Sequence, residues 1–375
     1  MKILKKLFFA LLLLAIILGI ALFSLTMLVN PNRLKPIIVN EVKQETGYQL
    51  NIEGDLAWSF YPRVGVKVKR MLLTAPKEPQ PFAELHDVTM AVSLYQWLRG
   101  EESLSGDLHI ADLVFMNLHF AQLRATLYLQ DGVLSISPIQ ARFYGGALEG
   151  VVHARSFEKT PRWEGELQLK GVNLGALWDD LYGSTYALKL TGTMNGHLKI
   201  DTVGRNRETL IAKASGMGEY QIDQGAVCGV DVNYFIQLAD AIIHKKPQNN
   251  LINTNQTAFD ALTGSFTIDN GVLATHDLLL TAKAFTAHAA GKLALLAQTL
   301  DFELQIKSQQ DLLSQWEIPL NVAGTVHRPT VTLDQEGMAH ILIKQDVEKA
   351  KTKVRDVIKK HVPGKAGEFL QNLIN

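Results

Sequence analysis

Apolar and polar positions alternate with a period of two along most of this chain. Val64, Val66 and Val68 are interleaved with Gly65, Lys67 and Lys69. Trp163, Gly165, Leu167 and Leu169 are interleaved with Glu164, Glu166, Gln168 and Lys170. Leu300, Phe302, Leu304 and Ile306 are interleaved with Asp301, Glu303, Gln305 and Lys307. Successive side chains on a strand point to opposite faces, so each run predicts a sheet with one apolar and one charged face. Asp131-Gly132, Asn195-Gly196 and Asn270-Gly271 are dipeptides that close tight hairpins, and Ser215-Gly216-Met217-Gly218 also reads as a turn. Parallel strands need crossover helices, which the sequence rarely supplies, so the expected sheet is antiparallel.

The two ends of the chain break this rhythm. Lys2, Lys5 and Lys6 precede an uncharged apolar run from Leu7 to Val29. As a helix that run is about 34 Å long, enough for a bilayer core of roughly 30 Å. The lysines favour a cytoplasmic N-terminus, with everything after Asn30 outside. A cleaved signal has a shorter apolar region ending in small residues. Here Leu22, Phe23, Leu25, Met27 and Leu28 continue the run, which favours an uncleaved anchor. Pro31 can open a helix with an apolar stripe of Leu34, Ile37, Ile38 and Val42, and Gly47 is placed to end it. A further helix is expected from Val232 to His244. From Met338 onward Ile343, Val347, Ala350, Val354, Val357 and Ile358 recur at helical spacing among many lysines, until Pro363-Gly364 ends the pattern. Such a basic amphipathic helix either caps a sheet edge or lies on an anionic membrane.

Composition adds exclusions. Lys+Arg and Asp+Glu are equal at 37 each, so no bulk charge points to nucleic acid. Cys228 is the single cysteine of the 375 residues, which rules out an intrachain disulfide and predicts a buried structural thiol. No zinc helix, nucleophile elbow or complete phosphate loop is present. His86-Asp87 and His276-Asp277 are strand neighbours whose side chains diverge. No catalytic, cofactor-binding or metal-binding residues are therefore assigned, and an enzyme is not expected.

Two stretches resemble each other, Asp131 to Ala154 and Asn270 to Leu295. Each opens with a turn followed by Gly-Val-Leu, and each places a glycine, Gly150 or Gly291, late in the next strand. Repetition of a turn-and-strands unit fits an array that grows by adding neighbours. A pair of β-sandwiches fits the same local pattern, and periodicity alone does not separate the two.

Several segments together resemble the AsmA family of bacterial envelope proteins. TGYQLNIEGDLAWSFYPRVGVKV (Thr46 to Val68) is similar to the family's N-terminal signature, with Gly54, Trp58, Phe60, Pro62 and Gly65 in place. GEYQIDQGAVCGVDVNYFI (Gly218 to Ile236) resembles its G-x-D-x-N segment. FDALTGSFTIDNGVLATHDLLL (Phe259 to Leu280), LDFELQIK and IPLNVAGTVHRPTVTLD (Ile318 to Asp334) resemble its C-terminal module. The stretch from Gly106 to Phe120 matches poorly, and the chain is shorter than well-known members. The resemblance implies a mainly β protein: an N-terminal transmembrane helix, an elongated antiparallel repeating β-groove, and C-terminal amphipathic helices. The corresponding divisions are an anchor at 1–30, a juxtamembrane helix at 31–47, β-structure at 48–256, a C-terminal β-module at 257–335 and a basic tail at 336–375.

The resemblance also implies an inner-membrane protein of a Gram-negative cell, with its bulk in the periplasm. Its expected partners are membrane phospholipids and, in addition, outer-membrane or periplasmic proteins. The expected role is phospholipid transfer to the outer membrane. An alternative is an assembly factor that binds outer-membrane polypeptides, for instance by strand addition at a sheet edge. An apolar sheet face cannot stay bare in water. The residues expected to line a lipid groove are Val64, Val66, Leu167, Leu169, Leu300, Phe302, Leu304 and Ile306; a protein-only sandwich core is the competing place for them.

Overall fold

The computed structural model describes residues 30–59, 65–76, 78–92, 104–156, 160–183, 187–247, 251–309 and 316–361. The expected membrane span, Val64 and Pro363-Gly364 lie outside the described residues. Among those described, no helix is long and apolar enough to cross a membrane. The described chain is mainly β. Its strands are β1 (Gln49–Glu53), β2 (Ala57–Ser59), β3 (Gly65–Thr74), β4 (Pro81–Val92), β5 (Leu104–Phe115), β6 (Leu118–Gln130), β7 (Val133–Phe143), β8 (Gly146–Arg155) and β9 (Arg162–Asn173), followed by β10 (Lys189–Val203), β11 (Ser215–Cys228), β12 (Gln256–Asp269), β13 (Val272–Thr281), β14 (Phe285–Ala294), β15 (Thr299–Ser308), β16 (Glu317–Thr325) and β17 (Pro329–Leu333). The described α-helices are α1 (Leu34–Thr46), α2 (Leu174–Tyr182), α3 (Arg207–Ala212), α4 (Val232–Ile243) and α5 (Gln335–His361). The chain forms two compact units. One comprises Met1–Asn173 with Asn195–Met217, the other Leu174–Met194 with Gly218–Asn375.

In the first unit β1 and β2 both pair with β3, and β3 to β9 then pair antiparallel in sequence order. In the second, β12 to β17 pair antiparallel in sequence order. Both are open meanders, as expected from hairpin signals without crossover helices. Asp131-Gly132 and Asn270-Gly271 form two-residue turns with positive φ at both positions, 51° and 71° in one, 46° and 75° in the other. That is the backbone that suits the right-handed twist of the strands they join. Met116-Asn117 and Tyr144-Gly145 turn in the same way without an obvious signal.

Two expected turns are instead strand. Asn195-Gly196 lies inside β10, where the Asn195 side-chain oxygen accepts the Gly171 N–H at 2.9 Å. Ser215 to Gly218 opens β11, and a Cβ on Gly216 would stand 2.2 Å from the Lys199 carbonyl oxygen. In both places the polar side chain or the small glycine serves sheet pairing, where the sequence reads as a loop.

The expected helix at 31–47 is present. Asn30 caps its first turn, and Gly47 ends it in the left-handed conformation at φ 75°. Leu34, Ile38, Val39 and Val42 pack on Leu50, Ile52 and Leu56, together with Val66, Val68, Met71 and Leu73. Ile37, placed on the stripe by spacing, is 61% exposed; Val39 takes its place. Helix α4 matches its expected span to within a residue. Helix α5 starts at Gln335 and docks through Met338 and Ile341, which are buried. Ile343 and Val347 of the expected stripe are exposed. Cys228 is half-buried.

The two similar stretches fold alike. β7 and β13 each carry a bulge, between Ile136 and Ile139 and between Thr275 and Leu278. Beside each bulge the next strand presents a glycine, Gly150 opposite Ile139 after the β7 bulge and Gly291 opposite Thr275 before the β13 bulge. The third strand then lays an apolar side chain over that glycine. Leu167 Cδ2 lies 2.7 Å from where a Gly150 Cβ would be, and the Phe302 ring lies 2.5 Å from a Gly291 Cβ. A missing Cβ roofed by a large neighbour is a recurrent way to bend a sheet without a void.

Candidate functional site: the apolar face of the first sheet

The cross-strand register assembles one continuous apolar face in the first unit. Val68 faces Val88, Val88 faces Ile110, and Ile110 faces Leu123. Leu127 faces Ile136, Ile136 faces Val152, and Leu148 faces Leu169. Bulges at Ala121/Arg124, Ala125/Leu127 and Ile136/Ile139 keep the apolar set on one side across the β6–β8 segment. Phe120 and Phe143 stack across β6 and β7 with centroids 4.8 Å apart.

This face is only partly covered. Leu108, Leu113, Leu123, Leu127, Leu134, Ile136, Val152, Leu167 and Leu169 are all half-buried, while Met90 and Leu129 are 42% and 41% exposed. Among the described residues of this unit, the extensive helix contacts fall at β1 and β2 and leave β5 to β9 without a helical roof. Val88, Ile110, Ala125, Ala141, Phe143, Leu148 and Ala154 are buried. Transfer of apolar surface out of water contributes about 25 cal/mol per Å², so a continuous half-bare face is a surface that gains by being covered.

The opposite face carries the charges, paired with one another. Arg70 bridges Glu53 and Glu84 at 2.9 and 2.7 Å, and Arg162 reaches Asp201 at 2.8 Å. Lys170 meets Glu149 and His197 meets Glu166, both at 2.9 Å. The hydrogen bond from Arg70 holds the Glu84 carboxyl below its ordinary value, and that from His197 does the same for Glu166. A shallow cavity of about 440 Å³ between Glu164, Glu166, Lys199 and Asp201 lies on this solvated side.

One end of the apolar face is closed by the loop between β10 and α3. Tyr48 Oη donates to the Arg205 carbonyl at 2.6 Å, and Trp163 Nε1 donates to the Gly204 carbonyl at 3.1 Å. Tyr48 immediately precedes β1 and Trp163 opens β9, so the loop ties the first and the ninth strand together. Tyr48 stacks at 5.2 Å on Phe82, which meets Phe115 edge-on at 5.7 Å. Burial raises the Tyr48 hydroxyl above its ordinary value, and the Arg205 charge nearby opposes that shift.

The second unit treats its apolar face differently. Leu300 packs with Val322 and Val326, and Trp178 and Tyr182 of α2, together with Phe302, Leu304 and Leu293, close over them. Trp178 is fixed there by its Nε1–H bond to the Leu188 carbonyl at 3.1 Å. Ile306, opposite Ala287 on one side and Ile318 on the other, is 0% exposed.

The structure therefore places the expected groove residues in three settings. Leu167 and Leu169 stand on the half-bare face, and Val66 packs with the α1 cluster at its edge. Leu300 and Ile306 are buried, and Phe302 and Leu304 are half-buried where they pack against the Leu300 cluster. The half-bare set from Leu108 to Val152 was missed because that region alternates irregularly. The bulge in β7 sets Ile136 and Ile139, three residues apart, opposite Val152 and Gly150, two residues apart, so simple alternation breaks there.

Motif residues singled out by resemblance have local structural roles. Gly229, at φ 96°, donates its N–H to the Asn255 carbonyl. Asp231 caps α4 at Tyr234 N (3.0 Å) and binds both the N–H and the hydroxyl of Thr254 at 2.7 and 2.6 Å. Gly65 admits the Met90 carbonyl, which a Cβ would meet at 2.3 Å.

Fold and face together define a class: open antiparallel meanders in which one apolar surface lacks a roof of its own. A model of the AsmA family matches residues 1–104 and 101–278, and the chain belongs to that family. Protein AsmA of Escherichia coli (strain K12) is 33% identical over 94 residues, which is 25% of this chain and 15% of that protein. The match to that curated relative thus spans less than a sixth of its length. No solved structure matches the chain.

Proposed function

We propose that the apolar face of the first unit holds phospholipid acyl chains, with headgroups toward the solvent. On this reading the protein is non-enzymatic, anchored in the inner membrane by Leu7 to Val29, and supports phospholipid movement toward the outer membrane from the periplasmic side. Family membership and the open sheet fit an envelope-associated role. The observation that carries the finer reading is the row of half-buried leucines, isoleucines and valines from β5 to β9, where no helix among the described residues makes extensive contact with the strands. Acyl chains match such a surface in chemistry and are long enough to run across several strands.

The test is native mass spectrometry of the full-length protein, extracted in detergent and washed free of loose lipid. Stoichiometric phospholipid that survives washing is the expected result. Protein that is folded, monodisperse and free of lipid contradicts the reading, and copurifying outer-membrane polypeptide in place of lipid favours the assembly-factor role.

A further inference from the structure

The loop that closes the end of the apolar face also builds a cavity of about 380 Å³, within the size range of small-molecule sites. Arg205 and Lys213 supply two cations to its lining, Thr160 and Thr209 two hydroxyls and Asn206 an amide; among the described residues none of the lining is acidic. The loop geometry is fixed. Gly204 has φ 154°, and a Cβ there would stand 2.4 Å from Thr209 Oγ1. Asn206 and Thr209 form a reciprocal capping box at the start of α3. The Arg205 guanidinium is held near the Gly47 turn, 3.6 Å from where a Gly47 Cβ would be.

The cavity adjoins the apolar face directly. The two side chains that hold its loop, Tyr48 and Trp163, put their polar tips on the loop carbonyls and their ring bodies on the apolar side. From Tyr48 the aromatic row runs on through Phe82 to Phe115. A cavity with two cationic side chains in its lining thus adjoins an aromatic and aliphatic surface, which is the order of groups in an amphipathic lipid. Arginine and lysine bind phosphate through charge-assisted hydrogen bonds.

We propose that this cavity seats the phosphate-bearing headgroup of a phospholipid whose chains lie on the adjoining face. The proposal rests on the acyl-chain reading above and adds to it a named headgroup site. The ligand is an anionic lipid phosphate, and free phosphate is the other source of the same chemistry.

The test compares acyl-labelled phosphatidylglycerol with diacylglycerol of the same chains, binding to the full-length protein in lipid-free micelles. Wild-type protein should prefer the phospholipid by about tenfold, the value of one charge-assisted contact. The double variant Arg205→Gln, Lys213→Gln should lose that preference while its diacylglycerol affinity and melting temperature stay unchanged. Tyr48 bonds the Arg205 backbone carbonyl, so the variant keeps the loop anchor. Equal binding of both lipids by wild type, or an unaltered preference in the variant, overturns the headgroup site and leaves the acyl-chain reading standing. Displacement of phosphatidylglycerol by millimolar inorganic phosphate overturns the lipid assignment in favour of free phosphate. Failure of wild type to bind either lipid contradicts the acyl-chain reading itself.

Discussion

Leu167 and Phe302 belong to two similar β-units, and each is laid over a glycine of the preceding strand. Their surroundings differ. Around Leu167 the neighbouring face residues remain half-buried, and among the described residues no helix makes extensive contact with β5 to β9. Around Phe302 the chain supplies Trp178 and Tyr182 as cover. The fully buried large side chains divide in the same way. Among the largest fully buried side chains of the described residues, Phe285, Ile243, Ile306, Ile318, Leu320 and Val326 belong to the second unit, and Val172 and Pro161 to the first. The same alternating strand can therefore end as core or as open surface, and what decides is whether a helix elsewhere in the chain is spent on covering it.

Substitutions to charge should separate the two faces most sharply. Leu320→Asp places a carboxylate where nothing is exposed, and should cost about 4 kcal/mol or more and abolish cooperative melting. Leu127→Asp on the half-bare face should cost under about 1 kcal/mol and leave the melt intact while removing bound lipid. If both variants unfold, the first face is a core as well. A smaller effect is expected from Trp178→Ala, which removes the cover from Leu300 and Phe302. It should cost about 3 kcal/mol and make the second face available to a hydrophobic dye. Similarity of the two β-units predicts like losses, about 1–3 kcal/mol each, for Gly150→Val and Gly291→Val, since each Cβ would meet a carbonyl oxygen at 2.4 Å.

The mildest effect is on pH dependence. Burial alone would raise the Asp231 carboxyl, but hydrogen bonds from the Thr254 hydroxyl and from the Thr254, Tyr234 and Asn233 amides outweigh it and hold it below the ordinary 3.8. A depressed folded value means stability that is present above the ordinary value and lost as pH falls through the folded one. Acid titration followed by circular dichroism should show this loss, and Asp231→Asn should flatten it.

Much of this architecture is legible in sequence, for identifiable reasons. Asp131-Gly132 and Asn270-Gly271 state their turns because few other residues accept positive φ twice in succession. Helix α4 announces itself through the Asp231 cap and an apolar run. Asn195-Gly196 misleads because the same dipeptide fits a strand when its amide bonds a neighbouring backbone N–H. The functional face was only half legible. Leu167 and Leu169 alternate cleanly, but the β5–β8 portion owes its continuity to bulges, and a bulge shifts the register without leaving a mark in the pattern. The covering of Leu300 to Ile306 could not be read either, because it depends on α2, a helix more than a hundred residues earlier in the chain.

The most direct measurement is site-specific photocrosslinking in the full-length protein, with benzoylphenylalanine introduced in turn at Leu127, Leu167 and Leu304. The open-face account predicts phospholipid adducts at Leu127 and Leu167 and none at Leu304. Adducts absent from both of the first two positions, in protein that is otherwise folded, would contradict it.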